Sequence, residues 1–168
     1  MLPPKCFFLA LVVVLAGCAT RRVPLITQPV AAGVVQFFIP PTAWSVSPGG
    51  VDAVKIDATY RTLKGNAAFC NISFFGEKSI PAMPSSLKLI ADGKDYPLGG
   101  VSIVYVDAAN KELRITANLA GEEFIQAASA GSIALGFVCG DATYKAEASK
   151  AFYSLADRFS QEVVYYGK

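Results

Sequence analysis

From Val54 to Arg61 the chain alternates with a period of two. Val54, Ile56, Ala58 and Tyr60 are apolar, and Lys55, Asp57, Thr59 and Arg61 between them are polar or charged. Successive side chains of a strand point to opposite faces, so this spacing predicts a strand with one face buried and the other wet. Lys64-Gly65-Asn66 supplies turn chemistry, and Ala68, Cys70, Ile72 and Phe74 share a face on the return strand. The hairpin needs an apolar layer to lie against, which sets the architecture: strands curled or folded into two layers, or covered by helices.

The rest of the chain repeats the theme. Gly33 to Ile39 is short, apolar and β-branched, a first strand that Pro40-Pro41 stops. The segment from there to Gly49-Gly50 reads as a loop containing Trp44, either a lid on the core edge or a stacking platform for a ligand. Residues 79–86, with Pro81 and Pro84, read as a crossing loop. Leu87 to Ala91 and Asp95 to Leu98 pair around Asp92-Gly93, and Gly99-Gly100 breaks the run. Val101 to Val106 then pairs with Leu113 to Leu119, and Ile133 to Cys139 with Ala142 to Ala148.

Two late segments change period. Gly121 to Ala130 is alanine-rich, with Glu122 and Glu123 in a first turn where carboxylates suit the helix dipole, and Gly131 is a natural stop. Ser149 can cap a second helix whose apolar stripe is Phe152, Leu155, Phe159 and Val163. The expected fold is α+β: about eight antiparallel strands, sandwich-like or curled, with two late helices packed on the sheet. Val163-Val164-Tyr165-Tyr166 reaches past the stripe, as a last strand, as packing under the sheet, or as an aromatic patch for a partner.

The N-terminus has a different chemistry. Lys5 is followed by an apolar run from Phe7 to Ala16, at whose end stands Leu15-Ala16-Gly17-Cys18. A run of that length is too short for a spanning helix, which needs about 20 apolar residues, and its order of parts is that of a secretory signal. Leu15-Ala16-Gly17-Cys18 resembles the lipobox of bacterial lipoproteins. The resemblance implies removal of residues 1–17, lipidation of Cys18 by a diacylglycerol thioether, and usually a further acyl chain on the new amino group. It says nothing of the fold that follows. Ala19 rather than Asp after the cysteine implies sorting to the outer membrane, facing the periplasm. Residues 18–32 then read as a lipidated N-terminus and tether, with Pro24 and Pro29 and no periodicity, and 33–168 as a single globular periplasmic domain.

Of the four cysteines, Cys6 would leave with the signal and Cys18 would carry lipid, so Cys70 and Cys139 remain. In an oxidising periplasm two leftover cysteines predict one structural disulfide. Closing a loop of about 70 residues contributes about 4 kcal/mol on the chain-entropy estimate. Histidine is absent, which excludes Ser-His-Asp and Cys-His catalysis and the commonest transition-metal ligand. With both thiols oxidised, no metal site is expected, and no cofactor. Without Lys5 the formal net charge of +2 falls to about +1, which does not fit a nucleic-acid partner.

Short motifs add nothing catalytic. Ser85-Ser86-Leu87-Lys88 matches Ser-x-x-Lys but lacks the companion Ser-Asp-Asn and Lys-Thr-Gly of penicillin-recognising enzymes. Asn71-Ile72-Ser73 is a glycosylation sequon inside an expected strand. Glu122 and Glu123 are adjacent on a helix and so point apart. Gly99-Gly100 lacks the helix and lysine of a phosphate loop. The expectation is a non-catalytic, lipid-anchored envelope protein, structural or accessory, that holds a partner protein near the membrane. The alternative is a carrier for a lipid or other amphiphile.

Overall fold

The computed structural model describes residues 24–47, 51, 53–63 and 65–166. The chain opens with a hairpin of β1 (Ile26–Ala31) and β2 (Val34–Ser47), followed by β3 (Ala53–Arg61) and β4 (Ala67–Phe75). Then come β5 (Ser86–Ala91), β6 (Lys94–Pro97), β7 (Gly99–Asp107) and β8 (Glu112–Ala120). Helix α1 (Gly121–Ala128), strands β9 (Ile133–Cys139) and β10 (Ala142–Glu147), and helix α2 (Lys150–Tyr166) complete it. All pairings are antiparallel, in the order β6-β5-β9-β10-β2-β3-β4-β8-β7, with β1 beside β2. The ten strands curl into a half-barrel with two helices, the α+β class expected from the sequence.

The inward face follows the period-two pattern. Val54, Ile56 and Ala58 of β3 stand opposite Phe74, Ile72 and Cys70 of β4, which in turn oppose Leu113, Ile115 and Ala117 of β8. All nine are buried. On the other wing, Leu87 and Leu89 of β5 oppose Phe137 and Leu135 of β9. The two wings meet where the Phe74 and Phe137 rings touch edge to face, centroids 4.9 Å apart. Curling thus lets one sheet bury its own concave face.

β2 corrects the reading of Pro40-Pro41. The strand does not stop there but runs on to Ser47, and Trp44 lies in it rather than in a loop. Four residues of β2 from Ile39 to Thr42 face three of β3 from Ala58 to Ile56, so the prolines form a bulge. Before the bulge Phe37 and Ile39 point inward; after it Thr42 and Trp44 do. Without the extra residue both later side chains would face solvent. The missing proline N–H groups cost little, because β1 pairs with β2 only as far as Phe38 and β10 only from Ser45. The prolines stand in the gap between those two partners, where no ladder donor is required.

The segment expected as a tether is corrected too. Residues 26–31 form β1, paired with β2 from Phe38 back to Val34, and Leu25 before it is buried. Pro29 hid this strand from the sequence pattern, but an edge strand tolerates proline. Gly99-Gly100 does end the run, since β6 stops at Pro97 and β7 opens at Gly99 beside β8, but the glycines are themselves strand. Gly100 has φ +59°, and a Cβ there would collide with Asn118 Nδ2, so the strand bulges at a position only glycine fits.

α2 behaves as its stripe requires. Ser149 Oγ accepts from the Phe152 N–H at 3.3 Å, and Phe152, Leu155, Phe159 and Val163 are buried. Phe159 meets Phe37 at 5.4 Å and Phe124 of α1 at 5.4 Å, and Phe152 meets Trp44 at 4.8 Å. Trp44 also donates its Nε1–H to Thr42 Oγ1 at 3.0 Å, so its indole is a core group and not an exposed platform.

Trp44→Ala should therefore lower unfolding stability by about 3–5 kcal/mol, read from urea midpoints. Pro41→Ala, at an exposed position outside any ladder bond, should cost less than about 1 kcal/mol. Deleting Pro41 instead should prevent cooperative folding, since it turns Thr42 and Trp44 outward.

Candidate functional site

A cleft lies at one end of the half-barrel, with a volume of about 1110 Å³. One wall is the β3–β4 turn, with Leu63, Asn66 and Ala67; another is the start of α1, with Gly121, Glu122, Glu123 and Ile125; the third is the end of α2, with Val163 and Val164. Tyr60 is part of the lining. Its ring belongs to an aromatic cluster, 5.5 Å from Phe159, 6.4 Å from Phe37, and stacked at 6.4 Å on Phe124. Partial burial raises the Tyr60 hydroxyl above its ordinary pKa, and the Glu122 carboxylate adds to this. That hydroxyl is a hydrogen-bonding group rather than a base.

Close packing fixes the cleft. The Gly121 N–H donates to the Asn66 carbonyl at 3.0 Å, which clips the start of α1 to the β3–β4 turn. A Cβ at Gly121 would lie 2.7 Å from that oxygen and 3.0 Å from Tyr60 Cε2. α1 has no side-chain cap at Ala120, so this bond and the two acidic residues serve its first turn. Glu122 is exposed and Glu123 half-buried, as a solvated helix start would give. Both nonetheless border the cleft, which the sequence pattern did not reveal because the β3–β4 turn that faces them is distant in the chain.

The cysteines depart from expectation. Cys70 and Cys139 are both free, so the expected bridge between them is not formed. Cys70 sits mid-strand in β4 between Ala58 and Ala117, wholly enclosed, and burial pushes its thiol up to about 12, with Asp57 adding to the shift. Cys139 ends β9, half-buried, and donates to the Ala82 carbonyl at 3.4 Å. Each thiol has its own surroundings, and neither thiol is activated: burial raises Cys139 as well. Cys18 lies outside the described residues.

The other sequence candidates are structural. Ser85 precedes β5, and Lys88 is on that strand with its Nζ 2.6 Å from Asp95, so the Ser-x-x-Lys match has no helix to open. Asn71 is inside β4, donating to Asp57 Oδ1 at 2.7 Å. Sequence reasoning placed Asp57 on a wet face, yet it is only 2% exposed. Arg114 of β8 pairs with it and also donates to Ser73 Oγ at 2.8 Å. Strand pairing across β3, β4 and β8 assembles this network on the face opposite the core. A lone buried carboxylate would be prohibitively costly, and this one is fully matched. Among the described residues no three His, Cys, Asp or Glu side chains come together as metal ligands, and no helix is long and apolar enough to cross a membrane.

Comparison with protein-family models, with curated proteins and with solved structures finds no match, so the cleft is read from its own geometry.

Arg114→Leu should destabilise by about 3–5 kcal/mol, because it leaves Asp57 buried and unpaired; the double change Asp57→Leu with Arg114→Leu should recover much of that loss in a denaturation series. With an aromatic disulfide reagent, native protein should titrate Cys139 first and Cys70 only on unfolding. The protonated Cys70 favours the folded state, so its contribution is intact below the unfolded thiol value near pH 9 and fades as pH climbs towards 12. A chemical-denaturation series from pH 7 to 11 should show that decline, reduced in Cys70→Ala.

Proposed function

We propose that the chain is a lipid-anchored envelope protein. On this reading Cys18 carries the acyl chains, Ala19 directs it to the outer membrane, and the domain stands at the periplasmic face as a non-catalytic module for an envelope partner. The observation that supports it most is the short distance between anchor and fold. Leu25 is already buried and β1 begins at Ile26. Extended chain rises at most about 3.6 Å per residue, so Cys18 to Pro24 reaches about 20 Å. A module joined that closely to its acyl chains works at the membrane surface, not out in the periplasm.

The cleft favours a second reading, a carrier for an amphiphile. Its volume suits a small organic ligand, its walls at Leu63, Ile125, Val163 and Val164 are apolar, and Tyr60 with Glu122 and Glu123 gives it polar points. Both readings share the anchor and differ in what the domain holds.

Cys18→Ser should abolish incorporation of labelled palmitate and move the protein from the membrane to the soluble fraction. A mutant that stays in the membrane would end the anchored reading. Native mass spectrometry of protein released in mild detergent separates the two readings. A retained small ligand, lost in Ala67→Phe where a ring is added to the lining, supports the carrier; an apo mass with a cross-linked envelope protein supports the partner module.

A further inference from the structure

We propose that the exposed end of α2, Val164-Tyr165-Tyr166, with Leu63 on another wall of the same cleft, rests in the interfacial layer of the phospholipid bilayer and turns the mouth of the cleft towards the membrane. The inference builds on the anchored reading above and adds an orientation to it.

Three observations meet at this place. Val164 is 61% exposed, Tyr165 76% and Tyr166 45%, three consecutive large side chains that the core does not cover. Neighbours on a helix point to different sides, so these three wrap its last turn in apolar surface, and the Tyr165 and Tyr166 rings meet at 5.1 Å; an uncovered cluster of this kind suits an apolar partner. Tyrosine joins an apolar ring to a polar tip, the chemistry that settles at the headgroup level of a bilayer.

The second observation is where the anchor arrives. The Thr27 hydroxyl donates to Glu162 Oε2 at 2.7 Å, and the Tyr166 ring lies 6.0 Å from Phe37, the residue of β2 paired with Thr27. The last turn of α2 therefore stands beside the strand that the lipidated segment enters. With about 20 Å of chain from Cys18 to Pro24, this end of the domain is the one the acyl chains draw down. Glu162, the acidic residue of that turn, is also 3.6 Å from Arg158, so its charge is partnered rather than turned bare towards headgroups.

The third observation links orientation to the site. Val164 and Leu63, the latter 56% exposed, both line the cleft. Contact through them places the opening against the lipid, where an amphiphile could pass between bilayer and cleft without crossing water.

The test uses the full chain expressed with its signal, purified in acylated form and reconstituted into vesicles of phosphatidylethanolamine and phosphatidylglycerol, with or without bromine on the upper acyl carbons. Tyr165→Trp reports the patch, and Val104→Trp reports the exposed edge strand β7 at the other margin of that wing. Wild type gives the background of buried Trp44. The proposal expects blue-shifted emission at position 165 that bromine quenches, with no quenching at position 104. An acylated Tyr165→Trp protein, shown by the mass of its N-terminal peptide, whose introduced indole is unquenched overturns the orientation and leaves the anchor standing. A peptide without acyl mass overturns both. A blue shift at position 165 in detergent together with a doubled mass in sedimentation assigns the patch to a second copy, and overturns the proposal as well.

Discussion

The half-barrel depends on one strand belonging to both of its wings. β2 pairs with β1 and β3 along its first half and with β10 and β3 along its second. Its inward residues must therefore stay inward while the sheet changes direction. The bulge at Pro40-Pro41 does this by shifting the alternation one place, so that Phe37 and Ile39 hand over to Thr42 and Trp44. What α2 packs on is the result. Phe159 sits against Phe37 before the bulge and Phe152 against Trp44 after it. One helix clasps both halves of one bent strand.

The same economy of parts shapes the cleft. The Phe37, Tyr60, Phe124 and Phe159 rings join β2, β3, α1 and α2 in a single cluster. The cleft is the outer side of that cluster, where the elements diverge and leave space between their ends. Gly121 holds it to shape because α1 can come no closer to Asn66 and Tyr60, and a larger residue would hold it further away. The polar network of Asp57, Asn71, Ser73 and Arg114 lies on the opposite face of the sheet. It fixes the register of β3, β4 and β8 from behind, since a slip would strand a buried carboxylate.

The edges are handled differently. β7 exposes Ile103, Val104 and Val106, a run that would invite another strand. Two bulges in its pairing with β8, one at Gly100 and one at Val104, distort it away from a flat template. β1, at the other margin of that wing, carries Pro29 and a register shift beside it. Both margins are spoiled for further pairing by backbone irregularity and not by charge.

By itself the sequence determined the elements whose pattern is local. The alternation of Val54 to Tyr60, the return through Cys70, the Asp92-Gly93 turn and the Phe152-to-Val163 stripe capped by Ser149 all appear as read, because period and turn chemistry act over a few neighbours. The resemblance of Leu15-Ala16-Gly17-Cys18 to a lipobox is equally carried by adjacent residues, and they lie outside the described part of the chain. What tertiary structure decided was whatever depends on a partner far along the chain. Proline reads as an end until the strand beside it is known to stop there too, as at Pro40-Pro41 and Pro29. Asp57 reads as a surface group until Arg114 arrives, two strands away. Cys70 and Cys139 read as a pair until each is seen in surroundings of its own. The cleft has no motif at all, since Leu63, Glu122 and Val164 become neighbours only when the turn, α1 and α2 come together at one end of the sheet.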